Sequence, residues 1–400
     1  MKTPKSQKLK TKPASNKLNV GVIFGGRSAE HEVSLVSATS VINALNKKKY
    51  NVIPIGITKE GKWLSSPDAV QLLKAGGKSN VLHEKTLLPD PTIKGLVELN
   101  QQSQTKADAP PVQAISNQQS INVIIPVLHG SYGEDGTIQG LFELAGIPYV
   151  GAGVLGSSAG MDKVIAKQLF QQNGIPVSPY IYFLQSEYVS QSKKKTLEVE
   201  KVLGYPCFVK PANSGSSVGI SKAHNRKELI ESIYLASQYD RKILIEKGIE
   251  NAREIEVAVL GNDEPIASIP GEIISSNEFY DYDAKYVDGK SREEIPAKLP
   301  KSVMRKIQLY AIRGFMAIDC SGMGRVDFLV TKKTNEIYLN EINTIPGFTS
   351  ISMYPKLWQK SGISYSKLLD KLIALAIARH NQKQAYCITY TPKTDWYKKS

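Results

Sequence analysis

Two short runs near residue 330 carry chemistry-bearing side chains at strand spacing. In "YLNEINTIPGF" (338–348), Glu341 and Asn343 stand two apart and a Pro-Gly turn follows. In "GRVDFLV" (324–330), Arg325 and Asp327 stand two apart. Side chains two apart on a strand share a face, and the polar "TKKTNE" between the runs predicts a hairpin. If both faces open on one cleft, Asp, Glu and Asn oxygens converge beside an arginine. An all-oxygen set without Cys or His suits Mg²⁺, which takes one or two carboxylates and completes its shell with substrate phosphates. The same spacing also describes a hairpin face of ordinary surface ion pairs, and spacing alone leaves both readings open.

Four further runs hold candidate chemistry. "FVKPANSGSSVGI" (208–220) delivers Lys210 into a Gly/Ser-rich loop. Its small residues let backbone N–H groups approach phosphate oxygens. It matches neither a Walker A motif nor GxGxxG, so a flexible turn is the competing reading. "SSNEFYDYDAKYVDGKSREEIPAKLP" (275–300) sets Tyr280, Tyr282 and Tyr286 among Asp281, Asp283 and Lys285. A loop of that length is a lid or binding loop, or an excursion packed by its own tyrosines. "GGRSAEHEVS" (25–34) puts Glu30 and His31 at a strand-to-helix turn, and "VLHGSYGEDG" (127–136) ends a strand on His129. Strand tips are where α/β folds bind ligands, although a lone His there is more often structural.

The elements that position these residues follow from pattern. "LNVGVIFGGRSAEHEVSLVSATSVINAL" reads as strand, Gly-Gly turn and helix, with Leu35, Ala38, Ile42 and Leu45 on one apolar face. "YNVIPIGIT" is the second strand of a βαβ start, which predicts a parallel sheet, and "INVIIPVLHG" is a further buried strand. Residues 100–120, rich in Gln, Ser, Ala and Pro, read as a surface loop or disordered insertion. "MDKVIAKQLFQQNGIPVSPY" (161–180) reads as a helix stacked on Met161, Ile165 and Leu169 and stopped by Gly174 and Pro176. Strand, Gly/Ser loop, strand, helix and strand then give a small α+β unit, and the remainder to about 380 alternates strands with one or two helices.

The chain has 400 residues, 41% of them hydrophobic, enough for two or three domains with buried cores. No run is long and apolar enough for a transmembrane span, and no secretory signal is read. Three widely spaced cysteines, Cys207, Cys320 and Cys387, argue against a disulfide framework. Together these features favour a soluble cytoplasmic protein without membrane insertion. The net charge of +14 includes six lysines in the first 17 residues, a tail with no acid that reads as disordered. The other lysines are dispersed, and no nucleic-acid-binding signature accompanies them, so a nucleic-acid binding module is the weaker alternative.

In order along the chain, "VIFGGRSAEHEVSL", "PVLHGSYGEDGTIQG", "GMDK", "FVKPANSGSSVGI", "EFYDYDAKY" and "GRVDF…LNEINTIPGFTS" resemble the D-alanine–D-alanine ligases of the ATP-grasp superfamily, over about 18–380. The resemblance implies a three-domain α/β and α+β architecture. It comprises a basic tail (1–17), an N-terminal parallel-sheet, Rossmann-like domain (18–155), a central ATP-grasp subdomain (156–245), a catalytic domain (246–380) and a C-terminal tail (381–400). It also implies ATP as co-substrate, two Mg²⁺ or Mn²⁺ ions, a homodimer, and ligation of two D-alanines for peptidoglycan precursors. By resemblance, Asp327, Glu341 and Asn343 hold the metal, while Arg325 and the Gly347 N–H stabilise an oxyanion. Glu30, fixed by Ser216 and Tyr286, holds the first D-alanine's ammonium near His129. Ser352 and Met353 meet the second substrate. Lys163, Lys210, Ser217 and Lys285 contact ATP phosphates. Glu246, Lys247, Ile249 and Glu254 line its adenosine, and the 275–300 loop is the lid. Relatives that make D-alanyl-D-lactate often carry Phe at the Tyr286 position, so Tyr implies an amine acceptor; D-serine or D-lactate as acceptor is the alternative. The basic tail, the long 100–120 segment and the residues after 380 have no counterpart in the pattern.

Overall fold

The structure, a computed structural model, describes residues 17–76, 84–100, 114–274, 292–349 and 351–394. Strands Leu18–Gly25, Tyr50–Ile57 and Val123–Val127 form a parallel sheet with Leu18–Gly25 in the middle, and Trp63–Ser65 adds an antiparallel edge. Their β-branched residues are buried on both faces, as a parallel sheet requires. One face is covered by helix His31–Ala44 through Leu35, Ala38 and Val41. The C-terminal helix Tyr365–Gln384 joins the same core through Leu368, Leu369 and Leu372. The N-terminal sheet and the last helix therefore share one core, and Arg379 on that helix donates to the Tyr149 carbonyl at 3.0 Å and lies over its ring.

A four-stranded antiparallel sheet follows, in the order Ser221–Ala223, Cys207–Pro211, Lys242–Lys247, Tyr180–Leu184. The last sheet is centred on Ala252–Gly261 and Gly322–Thr331, with Ile337–Asn343 on one side and Gly271–Ile274 then Arg292–Glu294 on the other. Its inner face, with Ile255, Val257, Val326, Phe328 and Leu339, packs on helix Lys301–Ala317 through Ile307, Ala311 and Phe315. The alternate residues of those strands face away from this core, and that is the face that matters for function.

The structure differs from the sequence reading at four places. Residues 114–120 are a strand paired with Gly95–Asn100, so the polar segment 100–120 ends in sheet. Its earlier part lies outside the described residues. The helix read from Met161 begins two residues later: Met161 closes a separate helix, Val154–Met161, and the Asp162 carboxylate caps Lys163–Gln172 at Val164 and Ile165. The buried face of the second helix carries Val164, Ala166 and Phe170, while Ile165 is exposed. Within 275–300, Arg292–Glu294 is an edge strand; Tyr286, Lys285 and the rest of 275–291 lie outside the described residues, as does most of the basic tail. The last helix runs to Gln384, four residues past the boundary read from sequence.

Candidate active site

The hairpin forms as its spacing predicts, with one irregularity that decides its chemistry. Arg325 pairs with Asn343 and Asp327 with Glu341 across antiparallel strands, but Phe328 then pairs with Leu339. Asn340 is the extra residue of a β-bulge. The bulge lets Leu339 enter the core while Glu341, two residues on, lines the cleft. On the neighbouring strand Glu256 stands opposite Asp327. Arg325 binds Asp327 in fork geometry, Nε to Oδ1 at 2.8 Å and Nη2 to Oδ2 at 2.7 Å, and meets Glu256 at 3.2 Å. Asn343 donates its amide to Asp327 at 2.9 Å. Burial opposes the guanidinium charge, but Asp327 and Glu256 outweigh it and raise the Arg325 pKa.

Glu30 reaches the same cleft from the start of helix His31–Ala44, where the helix dipole favours an anion. It is 7% exposed and accepts a hydrogen bond from Ser216 Oγ across 186 residues of chain. Two glycines make room for it: a Cβ on Gly130 or Gly215 would stand 2.6 or 2.5 Å from Glu30 Oε2. Ser216 and Ser217 both hold left-handed backbone (φ 44° and 61°), strain of roughly 1–3 kcal/mol each, concentrated where function commonly sits. The loop is tied down by Lys163 Nζ on the Ser214 carbonyl at 2.6 Å and by Ser214 Oγ on Val218 O at 2.7 Å.

The lysines form a second cluster around a buried acid. Glu246 Oε1 meets Lys167 Nζ at 2.5 Å and Ser178 Oγ at 3.0 Å, while Oε2 meets Lys210 Nζ at 2.5 Å. Burial alone would raise the Glu246 carboxyl, but Lys167 and Lys210 carry it down to about 2. Lys167 also donates to the Asn340 carbonyl at 3.0 Å, so the bulge is bound to this cluster. Burial lowers the Lys163 pKa, against the pull of Glu341.

One cavity of about 700 Å³ joins these groups. It is lined by Glu30, His129, Ser216 and Ser217 from the N-terminal side and the serine loop. Lys163, Lys210, Glu246, Lys247, Ile249 and Glu254 line the crevice between the two antiparallel sheets. Arg325, Asp327, Glu341, Asn343, Gly347, Ser352 and Met353 complete it. Every proposed site residue within the described residues thus borders one space; Lys285 and Tyr286 fall outside them. Gly347 is held close to Ser352, since a Cβ there would lie 2.7 Å from Ser352 Oγ.

Sequence reasoning passed over Glu134, Glu256 and Lys167. Glu256 could have been found two residues after Glu254, at strand spacing. Lys167 follows Lys163 at helical spacing. Glu134 lies inside the "HGSYGEDG" run, of which only His129 was taken. Desolvation, reinforced by the charge of Glu30, pushes the Glu134 carboxyl up to about 8.

Two antiparallel sheets closing on a lysine- and acid-lined crevice, with an oxygen-rich hairpin at its base, define an ATP-grasp ligase architecture. Residues 19–152 match the family "D-ala D-ala ligase N-terminus" and residues 169–374 match "D-ala D-ala ligase C-terminus". The chain belongs to the D-alanine–D-alanine ligase family. It is 53% identical over 369 residues to a D-alanine–D-alanine ligase of Chloroherpeton thalassium, covering 92% of this chain and 99% of that one. Against the enzyme so named from Acetivibrio thermocellus it is 52% identical over 372 residues, covering 92% and 97%. Among solved structures, the VanG D-Ala:D-Ser ligase from Enterococcus faecalis superposes with a TM-score of 0.78 at 38% identity, covering 90% of this chain and all of that one. The D-alanine–D-alanine ligase from Coxiella burnetii gives 0.75 at 36% identity, covering 92% and 96%.

Proposed function

We propose that this chain uses ATP to join two D-alanines into D-alanyl-D-alanine through an acyl phosphate, for peptidoglycan precursor synthesis. The observation that carries the reading is the single cavity shared by the Glu30–Ser216 contact, the Lys163/Lys210 cluster and the Arg325–Asn343 hairpin face. The first D-alanine's carboxylate attacks the γ-phosphorus; a new P–O bond forms, the β–γ bridge breaks and ADP leaves. The second D-alanine's free amine attacks the acyl carbon, loses a proton, and the tetrahedral intermediate collapses with release of phosphate.

The residues divide this work by charge. Glu30 holds the first ammonium, with Ser216 fixing its carboxylate. Lys163, Lys210 and, outside the described residues, Lys285 meet the triphosphate together with the Ser217 loop. Glu246, Lys247, Ile249 and Glu254 border the adenosine. Arg325 and the Gly347 N–H stabilise the oxyanion where negative charge develops, while Ser352 and Met353 receive the second substrate and His129 lies near the first. Asp327, Glu341 and Asn343 suit Mg²⁺ or Mn²⁺. They are hard oxygen donors, and no three His, Cys, Asp or Glu side chains among the described residues form a closed metal cage, which fits ions completed by nucleotide phosphates. Held there, two such ions would supply positive charge to the transferring phosphoryl group. The three-domain division at 155, 245 and 380, a homodimer and a cytoplasmic location complete the proposal. Among the described residues no helix is long and apolar enough to cross a membrane.

A second reading, with D-serine as acceptor, is favoured by the likeness to the D-Ala:D-Ser ligase. One assay separates these outcomes: ADP release with Mg·ATP and D-alanine, L-alanine as control, with products analysed in mixed D-alanine, D-serine and D-lactate. Turnover to the D-alanyl dipeptide is expected. Preferential D-alanyl-D-serine would move the assignment to the second reading, and absence of turnover in folded protein that binds ATP would sink both.

A further inference from the structure

A carboxyl group half-buried between two units of a protein needs a reason, because desolvation is costly unless hydrogen bonds replace the lost water. Glu134 is such a group. Its Oε2 accepts from the Gly130 N–H at 2.8 Å, on its own loop. Its Oε1 accepts from the Ile345 N–H at 3.1 Å, 211 residues away and two residues before Gly347. His129, from the same loop, completes the contact. Its Nδ1 lies 3.1 Å from the Ile345 carbonyl and its Nε2 3.2 Å from Ser37 Oγ. A carbonyl only accepts, so Nδ1 carries the proton; Nε2 of the neutral ring then accepts a hydrogen bond from the Ser37 hydroxyl. Burial lowers the His129 pKa and favours that neutral form.

The Ile345 peptide is thus gripped at both its N–H and its C=O by one loop, as a neighbouring strand would grip it. We propose that Glu134 is a positioning residue for the ligation, holding the Ile345 main chain so that the Gly347 N–H is aimed at the oxyanion. Because Gly130 also abuts Glu30, the loop that lines the first-substrate site sets the backbone of the oxyanion site. The inference rests on the ligase reading for its catalytic consequence, but the grip itself is independent of it.

Glu134→Gln tests it in the full-length enzyme. An amide has one acceptor oxygen, so one of the two N–H groups loses its partner while the side-chain volume is kept. Displacing a reacting partner by about 1 Å costs on the order of 10²-fold. The expected result is kcat lowered about 10- to 100-fold, the KM for ATP within about twofold, and Glu134→Asp recovering part of the loss. Hydrogen exchange of a peptide covering 344–349 is expected to quicken about tenfold in Glu134→Gln while the central sheet is unchanged. Unchanged exchange and kcat within twofold of wild type would overturn the proposal. An inactive wild type would defeat the ligase reading, and the exchange experiment would still decide the grip. If neither variant folds, Glu134 is a structural residue and the proposal fails.

Discussion

Leu339 and Glu341 are two residues apart on one strand yet serve opposite faces of the sheet, the leucine in the core and the glutamate on the cleft. The bulge at Asn340 makes this possible. Deleting Asn340 would make Leu339 and Glu341 neighbours, which strict alternation keeps on opposite faces, so the deletion removes only the bulge and the carbonyl it offers to Lys167. A loss of about 1–3 kcal/mol is expected, from the buried Lys167 ammonium left short of one acceptor. Asn340→Ala keeps the carbonyl that Lys167 uses and is expected to cost about 1 kcal/mol or less. Urea midpoints compare the two; a deletion variant as stable as Asn340→Ala would contradict the role given to the bulge carbonyl.

How much of this was legible beforehand follows from the same strand. Alternation in "GRVDFLV" and "NEIN" was enough to set Arg325, Asp327, Glu341 and Asn343 on one face, because those four lie beyond the bulge on the same side. The bulge itself has no marker in an Asn. The helix after Asp162 shows the opposite failure. Its apolar residues suggested a face on Ile165 and Leu169, but Lys163 and Lys167 are buried, their ammonium groups held by Ser214 and by Glu246 and Asn340. Hydropathy counts a lysine as solvent-facing, and only the distant carboxylate and carbonyls make the buried one affordable. Strand Ala114–Ser120 was missed because its polar residues lack the β-branched pattern that marks a strand.

Gly215→Ala probes the fit around Glu30, the proposed first-substrate acid. The added Cβ would lie 2.5 Å from Glu30 Oε2, the end of a side chain, so the carboxylate must move while the backbone stays. We expect kcat/KM for D-alanine to fall by about 10²-fold with the unfolding midpoint nearly unchanged. The KM for ATP should stay within about twofold of wild type. Steady-state kinetics with each substrate varied in turn would reveal a fault in this assignment if ATP, and not D-alanine, were the substrate affected.

Glu341→Gln keeps the shape of the cleft and removes one proposed metal ligand. Loss of several kcal/mol of transition-state stabilisation, roughly 10³-fold in turnover, is expected with a folded protein. Lys163 should also become easier to deprotonate, since the Glu341 charge supports its ammonium form. Chelation is expected to abolish wild-type activity, with Mg²⁺ or Mn²⁺ restoring it. A purified, folded Glu341→Gln enzyme with full turnover would refute the ligand assignment.

Glu246 should leave a signature in the acid unfolding of the protein. Its folded pKa of about 2 lies below the ordinary 4.5, so it contributes stability above pH 4.5 that is lost as pH falls from 4.5 toward 2. The shift corresponds to something on the order of 3 kcal/mol at neutral pH. In Glu246→Gln that contribution is absent, and Lys167 keeps only neutral acceptors, the Asn340 carbonyl and the amide oxygen, for its buried charge. The variant should therefore be about 3–5 kcal/mol less stable at pH 7. The gap to wild type should narrow as pH is lowered through 4 to 3. Other carboxylates with lowered pKa values, such as Glu143 and Asp370, destabilise both proteins equally in acid, so the difference isolates Glu246. Urea unfolding at pH 7, 5, 4 and 3 measures it. Parallel curves would mean that the two lysines do not hold Glu246 in its charged form, and the lysine cluster at the floor of the crevice would need a different arrangement.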